Sequence, residues 1–113
     1  MSGPPLEILK GTLDVLLLKT LSQEPMHGYA VSRWIREATD DALKVEEGAL
    51  YPALRRLEKK GLVEAHWGTT DTGREARFYH LTEAGKAALQ SQLQTWNRYV
   101  EAMGNVLEKG LVT

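Results

Sequence analysis

The sequence predicts a mainly α-helical fold with one small β-hairpin, and three of its features carry that prediction. Apolar residues recur at spacings of three and four in four separate segments, the repeat that lines one face of an α-helix. Two short strand candidates, 62–67 and 76–81, flank a polar, turn-rich stretch between the third and fourth of those segments, as a hairpin requires. Proline and glycine punctuate the joins, at Pro25, Gly28 and Gly61.

The first helix is expected over 6–22, where Leu6, Leu9, Leu13, Leu16, Leu17 and Thr20 form a stripe behind Pro4 and Pro5. Val15 and Leu18 add apolar surface off that stripe, so this helix should be covered on more than one side. A second helix over 28–39 places Val31, Trp34, Ile35 and Ala38 on one face. Residues 39–41 read as a loop, and 43–45 as a very short strand. The third helix, 48–60, turns Leu50, Leu54 and Leu57 inward. Pro52 has no amide hydrogen and clashes one turn back, which places it within or just after the first turn and the helix start near Gly48. Gly61 suits a left-handed cap, with Leu62 folding back towards Leu57. The hairpin loop spans 68–75. Thr82 then caps a last helix of about 83–108, and Glu83 favours its dipole.

Three helices, a hairpin and an added long helix give the order of a winged helix, with the second and third helices forming a helix-turn-helix. The expected division is a winged-helix DNA-binding unit over 1–82 and a C-terminal dimerisation helix over 83–113, within one compact structure.

Composition narrows the function. The chain has 113 residues, enough for a single core, and its 42% hydrophobic and 26% charged shares are those of a globular protein. Cysteine is absent, which excludes disulfides, thiolate metal sites and cysteine nucleophiles and suits a reducing cytoplasm. The opening residues lack the basic start of a secretory signal, and the apolar run 15–18 is too short to span a bilayer, so a cytoplasmic protein without membrane contact is expected. The three histidines (His27, His66, His80) show no metal-ligand spacing, and no phosphate-binding loop or nucleophile–base pair is suggested. No metal, cofactor or catalysis is therefore expected.

A net charge of −1 argues against indiscriminate nucleic-acid binding, so the placement of charge decides. With its leucines inward, the third helix turns Tyr51, Pro52, Arg55, Arg56 and Lys59 outward. Between Gly48 and Lys60, Arg55, Arg56, Lys59 and Lys60 stand against the single acid Glu58. A helix of this kind fits a major groove, where arginine bonds guanine or phosphate and small Gly48 and Ala49 allow close approach. The competing reading is a solvated basic face, which needs neither the exposed tyrosine nor the glycine–alanine start. In the hairpin, Arg74 and Arg77 are candidates for minor-groove or phosphate contact, offset by Asp71 and Glu75. A merely flexible loop is the alternative there.

In the last helix Leu89, Leu93, Trp96, Val100, Met103 and Leu107 alternate by four and three, a heptad seam about 18 residues or roughly 27 Å long. The first helix could cover part of it. The length favours a homodimer, which would read a pseudo-palindromic site in double-stranded DNA. Trp96, with Tyr99 nearby, is either core filler or the lining of a crevice for a planar aromatic effector.

The chain resembles the PadR family of winged-helix transcriptional regulators over nearly its whole length. The resemblance rests on Lys10-Gly11-Thr12-Leu13-Asp14, on His27-Gly28-Tyr29, and on Gly48-Ala49-Leu50-Tyr51-Pro52-Ala53-Leu54-Arg55-Arg56-Leu57-Glu58. It continues through Gly61-Leu62-Val63 and Phe78-Tyr79-His80-Leu81-Thr82-Glu83-Ala84-Gly85. It implies the compact branch with one long final helix, and a homodimeric repressor relieved by a small molecule. It also adds Lys10, His27 and Tyr29 to the DNA contacts, adds Leu6 and Leu9 to the dimer interface, and places Trp96 in an effector crevice. The wing departs from the family's basic run, reading Gly73-Arg74-Glu75-Ala76-Arg77. A winged helix that binds protein without DNA is the alternative function, since fold alone does not fix function.

Overall fold

The computed structural model describes residues 4–109. Four helices and three strands follow in the order α1 (Leu13–Leu21), β1 (Met26–His27), α2 (Gly28–Ala38), α3 (Glu47–Lys59), β2 (Val63–Thr69), β3 (Glu75–Leu81) and α4 (Glu83–Glu108). The strands form one antiparallel sheet ordered β1-β3-β2.

The core joins the inward stripes of these elements. Leu17, Leu18 and Leu21 of α1 meet Val31 and Ile35 of α2, Leu50, Leu54 and Leu57 of α3, Val63 and Tyr79 of the sheet, and Leu89 of α4. Three local devices set the joins. Gly61 at φ +76° ends α3 in a left-handed cap; Leu62 N–H donates to the Leu57 carbonyl at 3.0 Å, and Gly61 N–H to Glu58 at 2.9 Å. Thr82 then works in two directions. Its hydroxyl accepts from Gly85 N–H at 3.0 Å to cap α4 and donates to the Gly61 carbonyl at 2.6 Å. Gly85 is the third: a Cβ there would lie 2.0 Å from the Leu62 carbonyl oxygen, so only glycine lets α4 start this close to the end of α3.

Four expectations are corrected. The first helix begins at Leu13, not at 6, because Gly11 takes φ +87° and interrupts a leucine repeat that runs through it. The segment before it is extended: Leu6 N–H donates to the Ala42 carbonyl at 2.7 Å. The strand expected over 43–45 is accordingly a single parallel bridge between Leu6 and Leu43. The hairpin is also not alone. Met26 and His27 pair with Tyr79 and Phe78 as a third strand, too short to show any alternation in sequence. The hairpin strands each run further than expected, leaving 70–74 as the loop.

Candidate nucleic-acid interface

On α3 the buried residues Leu50, Ala53, Leu54 and Leu57 fix which side faces away. At about 100° per residue the line opposite them runs through Gly48, Pro52, Arg55 and Lys59, and all four are exposed. Among the described residues, no carboxylate lies within ion-pairing distance of Arg55, Lys59 or Lys60. Pro52 sits one turn into the helix, where its missing N–H falls opposite Gly48. Ala49 is exposed on the flank.

The other predicted residues of α3 are turned aside. Arg56 Nη2 donates to Asp14 Oδ1 of α1 at 2.6 Å. Tyr51, expected to project freely, is 37% exposed and lies across the start of α2. A Cβ on Gly28 would come within 2.6 Å of the Tyr51 hydroxyl and ring. Burial raises the Tyr51 pKa above its ordinary value, and the charges of Glu47 and Tyr79 push it the same way. The helix also starts earlier than expected, with Glu46 as N-cap and Glu47 in its first turn. Those carboxylates help the helix dipole but place negative charge at the end where close approach to bases was expected. The cations of α3 and its C-cap that lack a carboxylate partner among the described residues, Arg55, Lys59 and Lys60, therefore lie towards the other end.

At the entrance to α2, His27 is an N-cap: its Nδ1 accepts from Ala30 N–H at 3.3 Å. Tyr29 is exposed, stacked on His27 at 6.5 Å, with the Arg33 guanidinium 5.6 Å from its ring centre. In the wing, Arg77 Nη2 donates to Glu58 Oε2 at 2.9 Å, tying the hairpin to α3. Arg74 is exposed at the end of the loop, whose turn closes through Thr70 and a left-handed Gly73. Lys10 lies in the segment ahead of α1, four residues before the Asp14 that holds Arg56. It lines a groove of about 630 Å³ between the N-terminal segment, α1 and α4, together with Leu9, Asp14, Val15, Trp96 and Tyr99.

That groove opens onto the apolar side of α4. Leu89 is buried and Leu93 partly so, but Trp96, Tyr99, Val100, Met103 and Leu107 are exposed. Trp96 and Tyr99 stand with ring centres 6.4 Å apart. Leu6 and Leu9 are likewise exposed.

Sequence reasoning missed Asp14, which lies 42 residues from the arginine it holds, a separation no local pattern spans. It also missed the Gly28–Tyr51 contact and the exposed Trp67 of β2. A glycine as the first residue inside a helix was a usable signal for the contact, because glycine disfavours helix relative to alanine and its use there suggests lack of space.

A three-helix core, a sheet with a protruding hairpin and an outward basic line on the third helix define a winged-helix, DNA-binding transcriptional regulator. Residues 17–91 match the Transcriptional regulator PadR-like family, and the chain belongs to that family. It is 30% identical to a PadR-like transcriptional regulator from Bacillus cereus, whose crystal structure superposes with TM-score 0.78 over 90% of this chain and 97% of that one. A structure from Streptococcus mutans aligns over 100% of this chain and 99% of its own, with TM-score 0.80 and 26% identity. A transcriptional regulator from Mycobacterium tuberculosis is 33% identical over 74% of each chain. The family consists of regulators, and this chain is a regulator and not an enzyme.

Proposed function

We propose that this regulator is a cytoplasmic homodimeric repressor that grips a pseudo-palindromic operator with two copies of α3. The observation that carries the reading is the exposed line of Gly48, Pro52, Arg55 and Lys59, whose two cations have no carboxylate partner among the described residues. Unpaired guanidinium and ammonium groups on a helix face of this width suit phosphates and guanine edges in a major groove. Gly48 and Ala49 approach the duplex closely, while Tyr51, His27 and Tyr29 border the contact at the start of α2. Arg74 adds a wing contact, and Arg56 and Arg77 contribute only where a phosphate outcompetes Asp14 or Glu58.

The second copy covers α4. Trp96, Val100, Met103 and Leu107, with Leu6 and Leu9 of the N-terminal segment, are exposed and Leu93 partly so, an apolar set of the kind that marks a protein–protein interface. Among the described residues no helix is long and apolar enough to cross a membrane. The groove beside Trp96 and Tyr99 is the place for a planar aromatic effector, whose binding would shift the pair of α3 helices out of register with the operator.

Selection of duplexes from a random pool by the intact protein, followed by footprinting, tests the reading. The expected result is one enriched pseudo-palindrome protected in two patches about one helical turn, roughly 34 Å, apart. A pool that shows no enrichment contradicts it.

A further inference from the structure

We infer that Trp67 is a DNA-contacting residue of the wing, and that its indole gives this wing a non-ionic grip on the duplex beside the stretch met by α3. The inference rests on the DNA-binding reading above and extends it to the hairpin.

Alternation along β2 puts residues 63, 65 and 67 on one face, and Val63 is buried there against the α3 side. Trp67 continues that row past the end of the core and is 69% exposed. It stands directly across the ladder from Arg77, whose guanidinium reaches back to Glu58 of α3 and over the Tyr79 ring. The indole is thereby left alone on the side of the wing continuous with α3. Among the described residues it has no aromatic or cation–π partner.

The opposite face makes the contrast. There Phe78 is flanked by the rings of His27 and His66, and it lies so close over Gly68 that a Cβ would fall 2.8 Å from it. The sheet thus covers Phe78 on one face and Tyr79 on the other, where Arg77 lies over its ring, and leaves Trp67 uncovered.

Charge points the same way. Arg77 is neutralised by Glu58, and Arg74 stands between Asp71 and Glu75 in a loop with little net charge. A wing of this kind has little to offer phosphates. An indole resting on sugars and base edges, or wedged at a base step, binds without counterion release.

The experiment uses the full chain and the duplex enriched by the parent protein. Trp67→Ala is expected to weaken binding about tenfold, the scale of one lost base–aromatic contact, with the slope of log affinity against log salt unchanged and the fold intact. Trp67→Phe should recover part of the loss. With Trp34 and Trp96 replaced by phenylalanine, emission from Trp67 should change on adding the duplex and become protected from acrylamide. Parent-like affinity in Trp67→Ala, an altered salt slope, or indifferent emission would each overturn the inference. A parent protein that enriches no duplex would instead remove the reading beneath it, so the two failures are distinct.

Discussion

Tyr51 and Gly28 share one small volume, and that makes the helix-turn-helix an interlocked pair of helices. A methyl at position 28 has to displace the Tyr51 ring. Gly28→Ala should therefore cost about 1–3 kcal/mol of stability and weaken DNA binding, measured by urea unfolding and by titration with the selected duplex. Combined with Tyr51→Ala, the same substitution should cost much less than the sum of the two. The raised Tyr51 pKa has a sign that can be checked. Because the folded protein holds the neutral phenol more strongly than the unfolded chain, its contribution is complete below the ordinary tyrosine value of 10.0 and is lost as pH rises through the higher folded value. Tyr51→Phe should accordingly remove part of the alkaline destabilisation seen in unfolding curves. Asp14 offers a third residue-scale test. Asp14→Asn releases Arg56 from a half-exposed pair, so stability should change by less than about 1 kcal/mol. The salt slope of DNA binding should steepen by about one counterion if Arg56 then reaches a phosphate.

Elements were legible where a short-range pattern dictates them and obscure where contacts span the chain. Leucines at 50, 54 and 57 forced one face of α3 inward, Gly61 ended that helix with φ +76°, and Thr82 capped the next, all from local chemistry. The leucine repeat before residue 13 misled, because spacing alone does not register that Gly11 has left the helical region. Strand β1 has two residues, a single period of alternation that never repeats. The site divided in the same way. That Arg55 and Lys59 face outward followed from the helical repeat, but the diversion of Arg56 to Asp14 and of Arg77 to Glu58 depends on tertiary neighbours. The join between α3 and α4 is the element-scale test. At Gly85 the obstacle to a side chain is the Leu62 backbone, which cannot swing aside. Gly85→Ala should cost about 3 kcal/mol or more in a denaturant titration, although a helical position otherwise favours alanine over glycine.

The whole molecule is longer than a lone domain of its size should be. Its radius of gyration is 16.3 Å and its extents are 63 × 34 × 22 Å, whereas a compact domain of this length is expected near 13 Å. The excess is the C-terminal part of α4, which leaves the core after Leu93 and carries Trp96, Val100 and Met103 into solvent. A second copy laid along that part would restore compactness and fix the distance between two α3 helices. Met103→Glu should thus give a folded monomer in sedimentation and lose cooperative operator binding, while Leu89→Ala, inside the core, should unfold more easily by about 2–5 kcal/mol. The reading as a whole is tested most directly by one titration, in which the parent and the Arg55→Ala, Lys59→Ala double variant are added to the selected duplex at fixed salt. The account predicts that the variant stays folded and keeps its oligomeric state yet binds at least about a hundredfold more weakly, with a salt slope shallower by about two. Equal affinity and an unchanged slope would contradict it.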